Sequence, residues 1–240
     1  MKKKFLALIL CMMFCFASTS MGYAYDMEDI LFQAPDYYTP EYQAELKDSI
    51  TAMNEYVQTK TMARSGAQKF LRIDPIRQEA YNYCGPASAQ MIIKYKKSGS
   101  TLTQKNLAGS SYCNTDNLGL TTAATITQAL NKALGSGTYQ YIQTNQQRFS
   151  VALIYSIDKG YPVACNVDTA YLPAYNGISY GHWVVATGYS YGFVGASNDN
   201  DVRYNDPHYK DEYFGTYTID WMDMSDAIKN NYDFYVAKSA

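Results

Sequence analysis

Histidine is almost absent from this chain: there are two, His182 and His208, in 240 residues. Cysteine is sparse, at five. Cys11 and Cys15 fall in an N-terminal apolar run, which leaves Cys84, Cys113 and Cys165 beyond it. Beyond that run no two Cys or His have the close spacing of a structural zinc site. A disulfide-dense scaffold is excluded too, because a chain of this length can bury an adequate core without staples. There is no Gly-rich phosphate loop. The run Asp199-Asn200-Asp201 lacks the length and terminal glutamate of a calcium loop and reads as a polar turn. No metal and no cofactor is therefore expected. The net charge is only −2 and no basic stripe is present, which excludes a nucleic-acid partner.

Lys2, Lys3 and Lys4 precede an uncharged apolar run, Phe5 to Phe16, that is too short to span a bilayer comfortably. Gly22 and Ala24 suit a cleavage site after Ala24, with a neighbouring site after Ser20. Residues 1–24 thus read as a signal peptide, with an uncleaved anchor as the alternative. Neither Cys11 nor Cys15 follows the small residue a lipid-anchored cysteine wants. A secreted or cell-surface-associated protein, without stable membrane insertion after cleavage, is expected. Three cysteines outside the cell leave at least one free thiol. Whether Cys113 and Cys165 pair is open; Cys165, in PVACNV, reads as a buried small hydrophobe. The abundant tyrosines suit half-buried strand and loop surface.

Residues 25–70 form an N-terminal helical extension. Thr39 can cap a helix opened by Pro40. Tyr42, Leu46, Ile50, Met53 and Val57 then make one apolar stripe. Such a stripe must dock, either as a permanent part or as a removable pro-segment. Residues 71–240 form one domain. FLRI predicts a short strand, with helices over 86–97, 122–134 and 149–159. PVACNV, HWVVATGYSY, VRYN, TYTI and FYVA predict strands, with a short helix near Met222–Lys229. Helices first and strands later describe an α+β protein, its helical part packed on an antiparallel sheet.

Chemistry gathers in QEAYNYCGPAS. Cys84 lies at a predicted helix start, where the dipole and unpaired N–H groups favour thiolate; taken alone, it also fits a cysteine buried under a helix. Gln78, six residues upstream, carries two amide donors that can join the Cys84 backbone N–H at an oxyanion. His182 opens the strand HWVVATGY and offers a base on rigid scaffold. His208, in NDPHY, reads as an exposed loop residue. Asp206 ends the strand neighbouring that of His182, and an antiparallel hairpin returns it to the histidine. Asn205 faces the other side.

The order Gln, Cys, His, Asp resembles the papain-like cysteine peptidases. QEAYNYCGPAS with GHWVVATGY and NDP is more closely similar to the C39-like peptidases of secreted bacterial proteins, akin to the leader peptidases that cut after a double glycine. The resemblance covers roughly residues 70–240 and implies a papain-like fold. It implies Cys84 as nucleophile, His182 as base, Asp206 as orienting acid and Gln78 as oxyanion donor, acting on a peptide or protein substrate. The chain departs from papain in having Pro-Ala-Ser after Cys-Gly, and it carries no transporter domain, so the leader-peptidase role is not expected. The separation of His182 and Asp206 implies a long hairpin tip. Two other readings stand beside hydrolysis: an acyl transferase or transpeptidase using the same site, and an inactive secreted binding module in which Cys84 and His182 lie apart.

Overall fold

A computed structural model describes residues 27–61, 68–190 and 200–240. The expected signal peptide, the end of the extension near Ser65-Gly66 and most of the SNDND turn lie outside these residues.

The described residues open with helices α1 (Met27–Gln33) and α2 (Pro40–Thr61) and the short strand β1 (Gln68–Phe70). Helices α3 (Cys84–Lys96), α4 (Gln104–Ala108), α5 (Thr115–Leu118) and α6 (Ala123–Leu134) follow. Strand β2 (Tyr139–Gln143), helix α7 (Gln146–Asp158) and strand β3 (Val163–Asp168) lead through two short helical turns to β4 (Gly181–Ser190). The chain closes with β5 (Asp201–Asp206), β6 (Gly215–Asp220), α8 (Trp221–Lys229) and β7 (Phe234–Lys238).

Seven strands form one antiparallel sheet in the order β2-β7-β3-β4-β5-β6, with β1 paired to β4. This is the α+β class that the sequence implies. β4 is apolar and buried from His182 to Tyr189 because both α3 and α7 pack against it. One edge of β4 is shared: β3 holds it up to Ala186, and β1 takes it from Gly188. The predicted strand FLRI is therefore shorter than expected and lies earlier, over Gln68–Phe70. Only Leu71 adds a further bond, from its N–H to Thr187 O at 2.7 Å.

The amphipathic stripe of the extension docks on the rest of the chain. Leu46, Met53 and Val57 are buried in the common core, with Tyr42 and Ile50 packed against it. Each such side chain removed from water contributes about 1.5–3 kcal/mol. The contact is also specific. The Tyr42 ring stacks on Tyr141 at 4.6 Å, and its hydroxyl donates to Tyr141 O at 2.7 Å while accepting from Tyr141 N–H at 3.1 Å. α2 thus completes the exposed edge of β2, which would otherwise present unpaired backbone groups.

Candidate active site

Helix α3 begins at Cys84, two residues before the position expected from Pro86. Tyr83 is the cap: its carbonyl accepts the Ala87 N–H at 2.9 Å. Pro86 then occupies the third helical position, where a missing N–H costs nothing because first-turn donors have no intrahelical acceptor. The same rule leaves the Cys84 N–H without an intrahelical partner.

Two glycines let walls close around the reacting residues. A Cβ on Gly85 would lie 2.2 Å from Thr121 Oγ1, so only glycine admits the Leu120-Thr121 loop beside Cys84. A Cβ on Gly181 would lie 3.0 Å from Asn231 Oδ1, so the glycine before His182 admits the Asn231 side chain.

The hairpin brings His182 and Asp206 together. The register pairs Val185 with Asn205 and Ala186 with Tyr204, which continues to Val184 opposite Asp206. His182 is then the diagonal neighbour of Asp206 on one face. His182 Nε2 lies 2.8 Å from Asp206 Oδ1, with both side chains buried. Asp206 has two further donors, the His208 N–H to Oδ1 and the Tyr175 hydroxyl to Oδ2, each at 2.8 Å. Asn205 faces away, its amide bonded to Ile73 O and its oxygen to the Thr216 hydroxyl.

Cys84 is partly exposed and lines the same cleft as His182, whose ring is near enough to act on the thiol. Asp206 occupies Nε2, so Nδ1 is the ring nitrogen left for sulfur. Burial pushes the Cys84 pKa up, but the His182 bond and charge, with backbone N–H groups of Trp183 and Gly85, outweigh it and hold the thiol below its ordinary value. Burial pulls the His182 pKa down, and the charge and hydrogen bond of Asp206, helped by Cys84, outweigh that and raise it. Both shifts favour a thiolate–imidazolium pair. The inactive-module reading expects the two residues to lie apart, whereas both line one cleft.

Gln78 is buried and lines the same cleft. Its amide nitrogen donates to Ala80 O at 2.8 Å and Tyr81 O at 2.9 Å, and its Oε1 is buried without a partner. Both donor hydrogens thus shape the loop before Cys84. The Gln78 N–H also bonds to Pro207 O at 2.7 Å, which ties this loop to the Asp206 segment.

His208 differs from the exposed residue expected from sequence. It is buried, with its ring centroid 5.7 Å from that of His182. Its Nδ1 accepts the Lys210 N–H at 3.0 Å, and Nε2 meets the Tyr180 hydroxyl at 3.0 Å. Burial, then the neighbouring His182 charge, lowers its pKa to about 4, which keeps it neutral. Asp-Pro-His was visible in the sequence; nothing there announced that the loop folds inward. Tyr175, which fixes the second oxygen of Asp206, carried no signal.

The three described cysteines are all free thiols. Cys113 and Cys165 are fully buried and do not pair, and burial pushes Cys165 up to about 12. Cys84 alone combines access with thiolate character. Among the described residues, no cluster of three or more His, Cys, Asp or Glu is placed to hold a metal. No described helix is long and apolar enough to cross a membrane.

The site opens into a cleft of about 580 Å³. Tyr81 and Leu120 stand exposed at its rim on the cysteine side, and Ile178, Tyr180 and Tyr209 on the histidine side.

A family model described as "Peptidase_C39 like family" matches residues 70–236. No curated protein matches the chain. Among solved structures, one similar chain is a double-glycine-motif protease from an AMS/PCAT transporter in complex with the leader peptide. It is 16% identical, with a TM-score of 0.42, over 72% of this chain and 99% of that one. Another is bromelain from Ananas comosus in complex with the E64 inhibitor. It is 13% identical, with a TM-score of 0.46, over 73% of this chain and 99% of that one.

Proposed function

Because the chain belongs to the C39-like peptidase family and is thus a cysteine peptidase, we propose that it hydrolyses peptide bonds through an acyl-enzyme on Cys84. The observation that carries this reading is the His182 ring, bonded to Asp206 at 2.8 Å, in the cleft that the partly exposed Cys84 also lines. The Cys84 thiolate attacks the scissile carbonyl carbon. The new S–C bond forms as the carbonyl π pair moves to oxygen. The Cys84 N–H receives that oxyanion at the helix start. Gln78 adds a second donor when one amide hydrogen turns from Tyr81 O. The C–N bond then breaks, and the His182 imidazolium gives its proton to the leaving amine. Neutral His182 next takes a proton from water, hydroxide oxygen attacks the thioester, and the Cys84 thiolate leaves with the acid product free. Asp206 holds the ring and stabilises the imidazolium throughout.

The substrate is a peptide or protein, since the cleft is open and rimmed by apolar side chains. Lys2–Lys4 followed by the apolar run supports export, so the enzyme acts outside the cytoplasm or at the cell surface. The test is labelling by a thiol-reactive peptide probe in wild type and Cys84→Ala. Labelling lost in the variant supports the reading, and equal labelling of both forms removes it.

A further inference from the structure

Three buried side-chain amides line the cleft besides Gln78: Gln33, Asn166 and Asn231. Each is fixed by one end and leaves the other unused. Gln33 Oε1 accepts the N–H of Ala123, the first residue of α6, at 3.3 Å. That N–H has no intrahelical acceptor, so the oxygen must face it and Nε2 must face away. Asn231 Nδ2 donates to Asn166 Oδ1 at 2.7 Å and to Val167 O at 3.0 Å. Both its hydrogens are engaged, which sets the orientation of both asparagines. Among the described residues, Gln33 Nε2, Asn166 Nδ2 and Asn231 Oδ1 have no hydrogen-bond partner. Gln33 is 1%, Asn166 4% and Asn231 7% exposed. Each side chain is thus at least nine-tenths buried and held in place, while its free end reaches the cleft, where a ligand can meet it.

The free ends are two donors and one acceptor, the complement of a carboxamide. Charge agrees: of the described residues lining the cleft, Lys210 is the one Lys, Arg, Asp or Glu, and it lies 3.7 Å from Glu212. Asn231 also packs over Gly181, next to His182.

We propose that Gln33, Asn166 and Asn231 form a subsite that binds a neutral amide group of the substrate, and that α1 of the N-terminal extension is therefore part of the substrate site. This rests on the cysteine-peptidase reading. The amide is either a main-chain peptide group or an Asn or Gln side chain. The extension then belongs to the working enzyme, since removing it removes Gln33.

Two near-isosteric variants keep each structural bond and replace the free donor with a carboxylate oxygen that can only accept. Gln33→Glu retains the oxygen that receives Ala123 N–H, and Asn166→Asp retains the oxygen that receives Asn231 Nδ2. Alkylation of Cys84 by iodoacetamide reads the Cys84–His182 pair alone. Alkylation by peptidyl acyloxymethyl ketones reads the pair and the subsite together. Circular dichroism confirms that each variant is folded. The ratio of peptidyl to iodoacetamide rate constants should fall about tenfold in each variant. One peptide set places Gln, Glu or Leu at successive positions, and a second methylates successive main-chain nitrogens. A fall confined to Gln-bearing reagents assigns a side-chain amide. A fall across all sequences, matched by loss on methylation, assigns the main chain. An unchanged ratio with every reagent, in folded variants, overturns the subsite but leaves the peptidase reading standing. Failure of both reagents to alkylate wild-type Cys84 overturns the peptidase reading, and the subsite with it.

Discussion

His182 Nε2 lies 2.8 Å from Asp206 Oδ1, although the two residues are separated by most of a hairpin whose tip is outside the described residues. The pair is buried, and Asp206 also receives the Tyr175 hydroxyl and the His208 N–H. Asp206→Asn keeps the size of the side chain and removes its charge. The imidazolium loses its principal stabiliser, so kcat/KM should fall at least about a hundredfold. His182 should also deprotonate at lower pH, which moves the alkaline limb of the rate profile down. The profile of kcat/KM against pH for the two forms checks both effects.

Met53 is fully buried in the extension and belongs to the common core. Met53→Ala should cost about 2–5 kcal/mol of unfolding free energy, measured by urea denaturation. A loss below about 0.5 kcal/mol would mean that the extension is only loosely docked. Deletion of residues 25–61 should expose Tyr141 and Phe234, which pack on Tyr37 and Tyr42, and yield aggregated rather than activated protein.

Gly85→Ala places a methyl 2.2 Å from Thr121 Oγ1. Thr121 cannot yield freely, because it is buried and its hydroxyl is bonded to that of Thr115 at 2.6 Å. The variant should lose about 1–3 kcal/mol of stability. Displacement of the wall beside Cys84 should lower kcat as well, read from initial rates on a fluorogenic peptide.

Tyr232 and Asp233 both adopt positive φ, at 60° and 65°, in the turn that presents Asn231 to the cleft. Burial raises the Asp233 pKa to about 7, against weaker lowering by Gln143, Lys229 and Thr144. An acid raised on folding favours the native state while protonated. Its contribution is complete below the unfolded pKa near 4 and is lost as pH rises to about 7. Asp233→Asn tolerates the same backbone and cannot ionise. Its melting temperature should match wild type near pH 4 and exceed it by roughly 5 °C at pH 8, measured by thermal denaturation.

Much of this arrangement was legible in the sequence. The β-branched and aromatic content of HWVVATGY and the polar turn after it pointed to an antiparallel hairpin, and such a hairpin returns Asp206 to His182. The stripe Leu46, Met53, Val57 was legible because burial repeats with the helical period. Strand β2 was not expected: Tyr-Gln-Tyr-Ile-Gln alternates, but its partner β7 lies at the far end of the chain and no local signal links them. Helices α1, α4 and α5 were missed because they are short and held by tertiary contacts. His208 and Tyr175 were missed for a related reason, since loop burial depends on what packs above the loop. The Gln78 amide was identified as a donor, yet its present acceptors, Ala80 O and Tyr81 O, are set by the loop's own path.

The thiolate–imidazolium pair is the centre of the account, and the pH dependence of Cys84 alkylation tests it most directly. Iodoacetamide rate constants should be measured from pH 4 to 10 on wild type and His182→Ala, with Cys84→Ala as the blank. The lowered Cys84 pKa and raised His182 pKa predict a wild-type thiol that already reacts below the ordinary thiol range of about 8.5. They also predict that His182→Ala moves the midpoint upward. Identical midpoints near 8.5 in wild type and variant would contradict the account.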